Sequence, residues 1–162
     1  MRNPSSPSPA ALVLDRAGQR NLRIATAESC TGGLIAGALT AIPGSSAVFE
    51  RGFVTYSNAA KAEMLGVDAD LIARVGAVSE EVARAMARGA VAASRADLAV
   101  AVTGIAGPDG GTPDKPVGLV HIATAGIAEL HRRCLFSGDR TRVRAATVET
   151  ALALLLAALD QP

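Results

Sequence analysis

The run Leu98-Ala99-Val100-Ala101-Val102 constrains this chain more than any other segment. Five apolar residues without polar alternation mark a strand covered on both faces, and such a strand needs helices above and below its sheet. The neighbouring segments supply them. Leu12, Val13 and Ala17 stand at helical spacing within Ala10 to Arg20, Leu22 to Ala27 is β-prone, and Leu34 to Ile42 is helical until Pro43-Gly44-Ser45-Ser46 breaks it. Val48 to Ser57 reads as a strand. Asn58 is a good N-cap for a helix through Leu65 that Gly66 ends, Asp68 caps a further short helix, and Ser79-Glu80-Glu81 opens a longer one to about Arg95. Val117 to Thr124 and Glu129 to Phe136 read as strands, and Asp139 or Thr141 starts a last helix to Leu159. Strands alternating with helices predict an α/β fold, a three-layer α/β/α sandwich around a single mixed sheet.

At 162 residues the chain suits one domain. We expect a disordered Ser- and Pro-rich tail over residues 1–9 and a single domain over 10–162. The tail resembles neither a signal peptide nor an anchor, and the longest apolar run, Ala151 to Leu159, is too short for a bilayer, so no membrane partner is expected. The 16 Lys+Arg against 15 Asp+Glu remove the general electrostatic argument for nucleic acid, and four aromatic residues (Tyr56, Phe49, Phe53, Phe136) provide few stacking platforms. Cys30 and Cys134 are too few for a disulfide scaffold and fit a reduced, cytoplasmic chain.

In open α/β sheets, ligands collect outside the carboxyl ends of the strands, which places the site between the turns after Ala27 and after Val102. The first turn, Glu28-Ser29-Cys30-Thr31-Gly32-Gly33, groups two hydroxyls and a thiol at a helix start whose N–H groups suit an oxyanion or a phosphate. Ser29 is a candidate nucleophile, although Ser and Thr also serve as ordinary N-caps. His121 and His131 read as strand residues rather than as its base. Of the two lysines, Lys115 lies in a loop between prolines and Lys61 on a helix after Tyr56; Lys61 is the favoured base, with a solvated helix lysine as the alternative. The second turn, Thr103 to Gly111, carries Gly104, Gly107, Gly110 and Gly111, which allow close approach to a ligand or simply form a surface loop. Arg140, Arg142 and Arg144 begin the last helix, as a phosphate site or a solvated basic turn. The two histidines and two distant cysteines lack metal-ligand spacing.

Taken together, Thr26-Ala27-Glu28-Ser29-Cys30-Thr31-Gly32-Gly33, Gly44-Ser45-Ser46, Arg51-Gly52-Phe53-Val54-Thr55-Tyr56-Ser57-Asn58, Gly76-Ala77-Val78-Ser79 and Gly104-Ile105-Ala106-Gly107-Pro108-Asp109-Gly110-Gly111 resemble the CinA C-terminal domain family. The likeness runs from about Leu12 to Leu159. It implies a stand-alone nicotinamide-nucleotide amidohydrolase that turns nicotinamide mononucleotide into the acid and ammonia in pyridine nucleotide salvage, with no cofactor and no metal. By motif match Ser29 would be the nucleophile and Lys61 its base, with Tyr56 beside them. Cys30, Thr31, Gly32, Thr103, Gly104 and Gly107 would line the substrate pocket and Arg140 would hold the phosphate, a role that Arg144 could share. Thr103 stands where relatives often have Ser, and the hydroxyl is kept. The resemblance also implies a homodimer. Two other readings stay open: a non-catalytic pyridine-nucleotide-binding module linked to competence or DNA damage, and a hydrolase using Cys30.

Overall fold

The computed structural model describes residues 6–162. Most of the expected tail lies outside these residues, and its last two members already belong to a helix start. Ser8 caps α1 (Pro9–Gln19) by accepting from the Ala11 N–H, and Pro9 sits at its first position, where the missing N–H costs nothing. There follow β1 (Ile24–Glu28), α2 (Leu34–Thr40), a 3-10 turn (Ser45–Ala47), β2 (Phe49–Val54), α3 (Asn58–Leu65), α4 (Ala69–Val75), α5 (Glu80–Ala92), β3 (Leu98–Gly104), β4 (Leu119–Gly126), β5 (His131–Leu135) and α6 (Arg140–Leu159).

The strands form one mixed sheet in the order β2-β1-β3-β4-β5. The β1 strand runs parallel to both β2 and β3, whereas β4 is antiparallel to β3 and to β5. The carboxyl ends of β1, β2, β3 and β5 therefore share one edge, and the loops that leave them converge there. Alternation along the strands sorts the core into two halves. Ile24, Leu98, Val100, Val102, Val120 and Ile122 face a cluster with residues of α1, α2 and α6, such as Val13, Leu39 and Leu155. Ala25, Ala27, Ala99, Ala101, Ala123 and Ala125 face Leu65, Ile72, Val82 and Met86 of α3, α4 and α5. The three-layer sandwich follows.

Several boundaries differ from those expected, each for a local reason. Ser57 rather than Asn58 caps α3, its hydroxyl accepting from the Ala60 N–H, so Asn58 is the first helical residue. The β2 strand stops at Val54, leaving Tyr56 in a loop. The β4 strand starts only at Leu119, because Gly118 is left-handed and a Cβ there would lie 2.0 Å from the Phe136 carbonyl oxygen. Asp139, of the two candidates, caps α6 by accepting from the Arg142 N–H.

Candidate active site

Ser29 follows β1 directly, and its N–H donates to the Val102 carbonyl of β3 at 3.1 Å, which ties the turn to the sheet edge. Lys61 approaches from α3. The helix is held in place at its other end, where a Cβ on Gly89 of α5 would stand 2.0 Å from the Leu65 carbonyl oxygen, so only glycine permits the two helices to meet as they do. The Lys61 ammonium donates to Ser29 Oγ at 3.2 Å and to the Thr55 carbonyl at 3.0 Å. The residue is 2% exposed, and among the described residues no carboxylate pairs with it. Burial pushes its pKa below the ordinary lysine value, against a smaller opposing effect of Cys30.

A cavity of about 300 Å³ opens over this pair. It brings together Ser29, Cys30, Tyr56, Lys61, Thr103, Gly104, Gly107 and Arg140. Thr103 is buried, with its hydroxyl donating to the Ala77 carbonyl at 2.8 Å. Gly104 and Gly107 are glycine for space as well as flexibility: a Cβ at either would meet Val120 or Val117 within 2.6 Å. Tyr56 is 60% exposed, and its phenol accepts from Arg140 Nη2 at 2.9 Å instead of bonding to the Ser29–Lys61 pair. Arg140 also donates to the Gly107 carbonyl at 2.9 Å and so joins the loops of Tyr56 and Gly107 to the start of α6. Burial drives the Cys30 thiol up to about 11, which leaves it protonated near neutrality and removes the thiolate a cysteine hydrolase requires.

Two expected pocket residues do not line the cavity. Thr31 is fully buried beneath the turn, where its hydroxyl donates to the Glu28 carboxylate at 2.6 Å. Gly32 is a turn-maker at φ 57°, and a Cβ on it would face Arg144 Nη2. The start of α2 is not open to an anion either, because Glu28 accepts the Ile35 and Ala36 N–H groups at 2.8 and 3.0 Å. Lys115 is occupied elsewhere, donating to the Val75 carbonyl at 2.6 Å. His121 and His131 stack at 5.2 Å between ring centroids; His121 lines a second cavity with Glu80, Glu81 and Arg133.

Asn58 and Asp109 also line the first cavity, although the sequence marks the one only as a helix cap and places the other only within the second glycine-rich turn. Glu28 was equally missed as the anchor of α2. A carboxylate three residues before a hydroxyl and six before the first helical residue is the available signal, but it is a weak one without the chain reversal.

Residues 7–159 match the model of the CinA C-terminal domain. The chain belongs to the CinA C-terminal domain family. The chain is 58% identical over 137 residues to the nicotinamide-nucleotide amidohydrolase PncC of Pseudomonas putida, an alignment that covers 84% of this chain and 86% of that protein. It is likewise 58% identical to a CinA-like protein of Geobacter metallireducens, covering 83% of this chain but only 33% of that relative, so it spans about a third of the longer family members. Among solved structures, the competence/damage inducible protein CihA of Agrobacterium tumefaciens superposes with a TM-score of 0.88 at 51% identity, over 99% of this chain and 100% of that one. No helix among the described residues is long and apolar enough to cross a membrane.

Proposed function

We propose that this member of the family is a nicotinamide-nucleotide amidohydrolase that hydrolyses the carboxamide of nicotinamide mononucleotide to nicotinic acid mononucleotide and ammonia, with Ser29 as nucleophile and Lys61 as base. The observation that carries this reading is the buried Lys61 ammonium, unpaired with any carboxylate among the described residues, within 3.2 Å of Ser29 Oγ. The identity to PncC supports the substrate.

In the neutral form Lys61 takes the Ser29 hydroxyl proton as Oγ bonds to the amide carbon. The oxyanion faces the turn, where the Cys30 N–H is the nearest backbone donor in sequence to the new bond. When the C–N bond breaks, the Lys61 ammonium returns its proton to the departing nitrogen, which leaves as ammonia. Water then attacks the acyl ester; Lys61 accepts its proton and passes it back to Ser29 Oγ. Every step uses groups of the chain, substrate and water. Arg140, at the cavity mouth, is the cation placed to meet the phosphate, remote from the bond that breaks. The reaction suits salvage of pyridine nucleotides in the cytoplasm.

The test is ammonia release from nicotinamide mononucleotide, its riboside and the dinucleotide, by wild type and by Ser29→Ala. Release from the mononucleotide, lost by at least about 10³-fold in the variant, is expected. Nucleotide binding without ammonia from any of the three amides would instead identify a non-catalytic binding module.

A further inference from the structure

Arg144 lies one helical turn beyond Arg140 on α6 but does not line the cavity. Its guanidinium turns to the nucleophile turn, donating from Nε to the Cys30 carbonyl at 3.1 Å and from Nη2 to the Thr31 carbonyl at 3.3 Å. The Thr31 carbonyl also accepts from the Leu34 N–H at 3.0 Å, and the third carbonyl of the turn, that of Ser29, accepts from the Gly32 N–H at 3.0 Å. Among the described residues the only cis peptide bond is Gly107-Pro108, so these three peptides are trans, with each N–H antiparallel to its carbonyl. The plane that carries the Cys30 N–H contains the Ser29 carbonyl, held by the Gly32 N–H, and the Gly32 N–H shares its own plane with the Thr31 carbonyl, so Arg144 reaches the Cys30 N–H through the Gly32–Ser29 hydrogen bond.

We propose that Arg144 is a positioning residue for the Ser29 reaction: by holding the Thr31 carbonyl, and with it the Gly32 N–H that fixes the Ser29 carbonyl, it steadies the peptide plane whose Cys30 N–H meets the developing oxyanion. This rests on Ser29 being the nucleophile. It gives Arg144 a different task from the phosphate contact considered for it above, and the two tasks separate kinetically. A phosphate ligand acts on KM. A group that orients oxyanion donors acts on kcat, because those donors strengthen only as negative charge develops.

Two readouts test it, one independent of the natural substrate. Phenylmethylsulfonyl fluoride labels an activated serine: Oγ bonds to sulfur, fluoride leaves, and the proton goes to Lys61. The labelling rate at Ser29, followed by intact mass, is compared in wild type, Arg144→Ala, Arg144→Lys and the control Arg142→Ala. Arg142 is exposed, its backbone N–H donates to Asp139, and its side chain has no hydrogen-bond partner among the described residues. We expect Arg144→Ala to slow labelling and to lower kcat for deamidation by about 10- to 100-fold, with KM within about threefold. Arg144→Lys reaches one carbonyl at a time and falls between; it also serves if the alanine variant unfolds at lower temperature. Labelling and kcat at the wild-type level in both Arg144 variants overturn the proposal, as does a rise in KM alone. If wild type takes the reagent at Ser29 yet releases no ammonia from any nicotinamide amide, the substrate assignment fails while the effect of Arg144 on labelling still decides this one. If wild-type Ser29 does not take the reagent, kcat decides alone, and a wild-type kcat in both Arg144 variants overturns the proposal.

Discussion

The two faces of the central sheet are built from different side chains, and they deliver different parts of the site. One face presents Ile, Leu and Val to α1, α2 and α6; the other presents six alanines to α3, α4 and α5. Side chains of that size let a helix layer come near the sheet, and Gly89 lets α3 close on α5 in turn. From this tightly packed side Lys61 reaches the end of β1, its long stem buried and its ammonium set between Ser29 and the Thr55 carbonyl. The branched side contributes no proton carrier. It holds the turn itself, through the Glu28 carboxylate on α2 and the Arg144 guanidinium from α6. Proton chemistry comes from the alanine face and support from the branched face.

The sharpest break of this division is Lys61→Arg. Arginine keeps the charge and much of the length, yet it does not deprotonate near neutrality, so deamidation should fall by about 10²- to 10⁴-fold, close to the loss in Lys61→Ala. An arginine variant that retains most of the activity would make Lys61 a structural cation and remove the proton carrier from the alanine face.

A second pair of changes sets the faces against each other at adjacent positions of β4. Ile122 lies on the branched face and Ala123 on the alanine face, both fully buried. Ile122→Ala leaves a cavity and should cost about 2 to 5 kcal/mol of stability, with kcat little changed once the protein is folded. Ala123→Leu adds volume where the layers are close. It should cost about 1 to 3 kcal/mol, and by displacing α5 and the α3 helix seated on it, it should also depress kcat. Chemical unfolding and steady-state rates on the same samples measure both. Equal kcat losses, or a kcat loss only in Ile122→Ala, would break the comparison.

This division was partly legible in the sequence. The alternation Leu98-Ala99-Val100-Ala101-Val102 already shows a strand buried on both faces, and the scarcity of lysine singles out Lys61. The supporting half was not legible, because it depends on where the chain comes back. Glu28 is an ordinary strand-end carboxylate until the turn brings the Ile35 and Ala36 N–H groups over it. Arg140 and Arg144, four residues apart, share a helix face and look equivalent; only the packing of α6 beside α2 sends one guanidinium to the cavity mouth and the other to the Cys30 and Thr31 carbonyls. Thr31 was read as a pocket residue for the same reason. Its hydroxyl faces down to Glu28, which spacing along the turn does not reveal.

The smallest expected effect is a slope with pH, and it tests whether the alanine face tunes its lysine. Burial lowers the Lys61 pKa in the folded chain, whereas the unfolded chain keeps the ordinary value of 10.5. Between the two values the unfolded state binds more protons, so this residue makes stability rise with pH across that window. Below the window both states are protonated, and the cost of burying the ammonium is present in full; above 10.5 it is gone. Cys30 works in the opposite sense, because its thiol is raised from 9.0 to about 11 and the stability tied to it is lost as pH rises through that range. The effect of Lys61 is therefore read as the difference in urea unfolding free energy between wild type and Lys61→Met. Methionine keeps the apolar stem without the charge, and Cys30 is common to both chains. Wild type should trail the variant where both states carry the proton and gain on it as pH rises through the lowered Lys61 value toward 10.5, in step with a deamidation rate that rises over the same range. Parallel stability curves beside a rising rate would mean that the rate reports another group, and that burial against the alanine face does not set the basicity of Lys61.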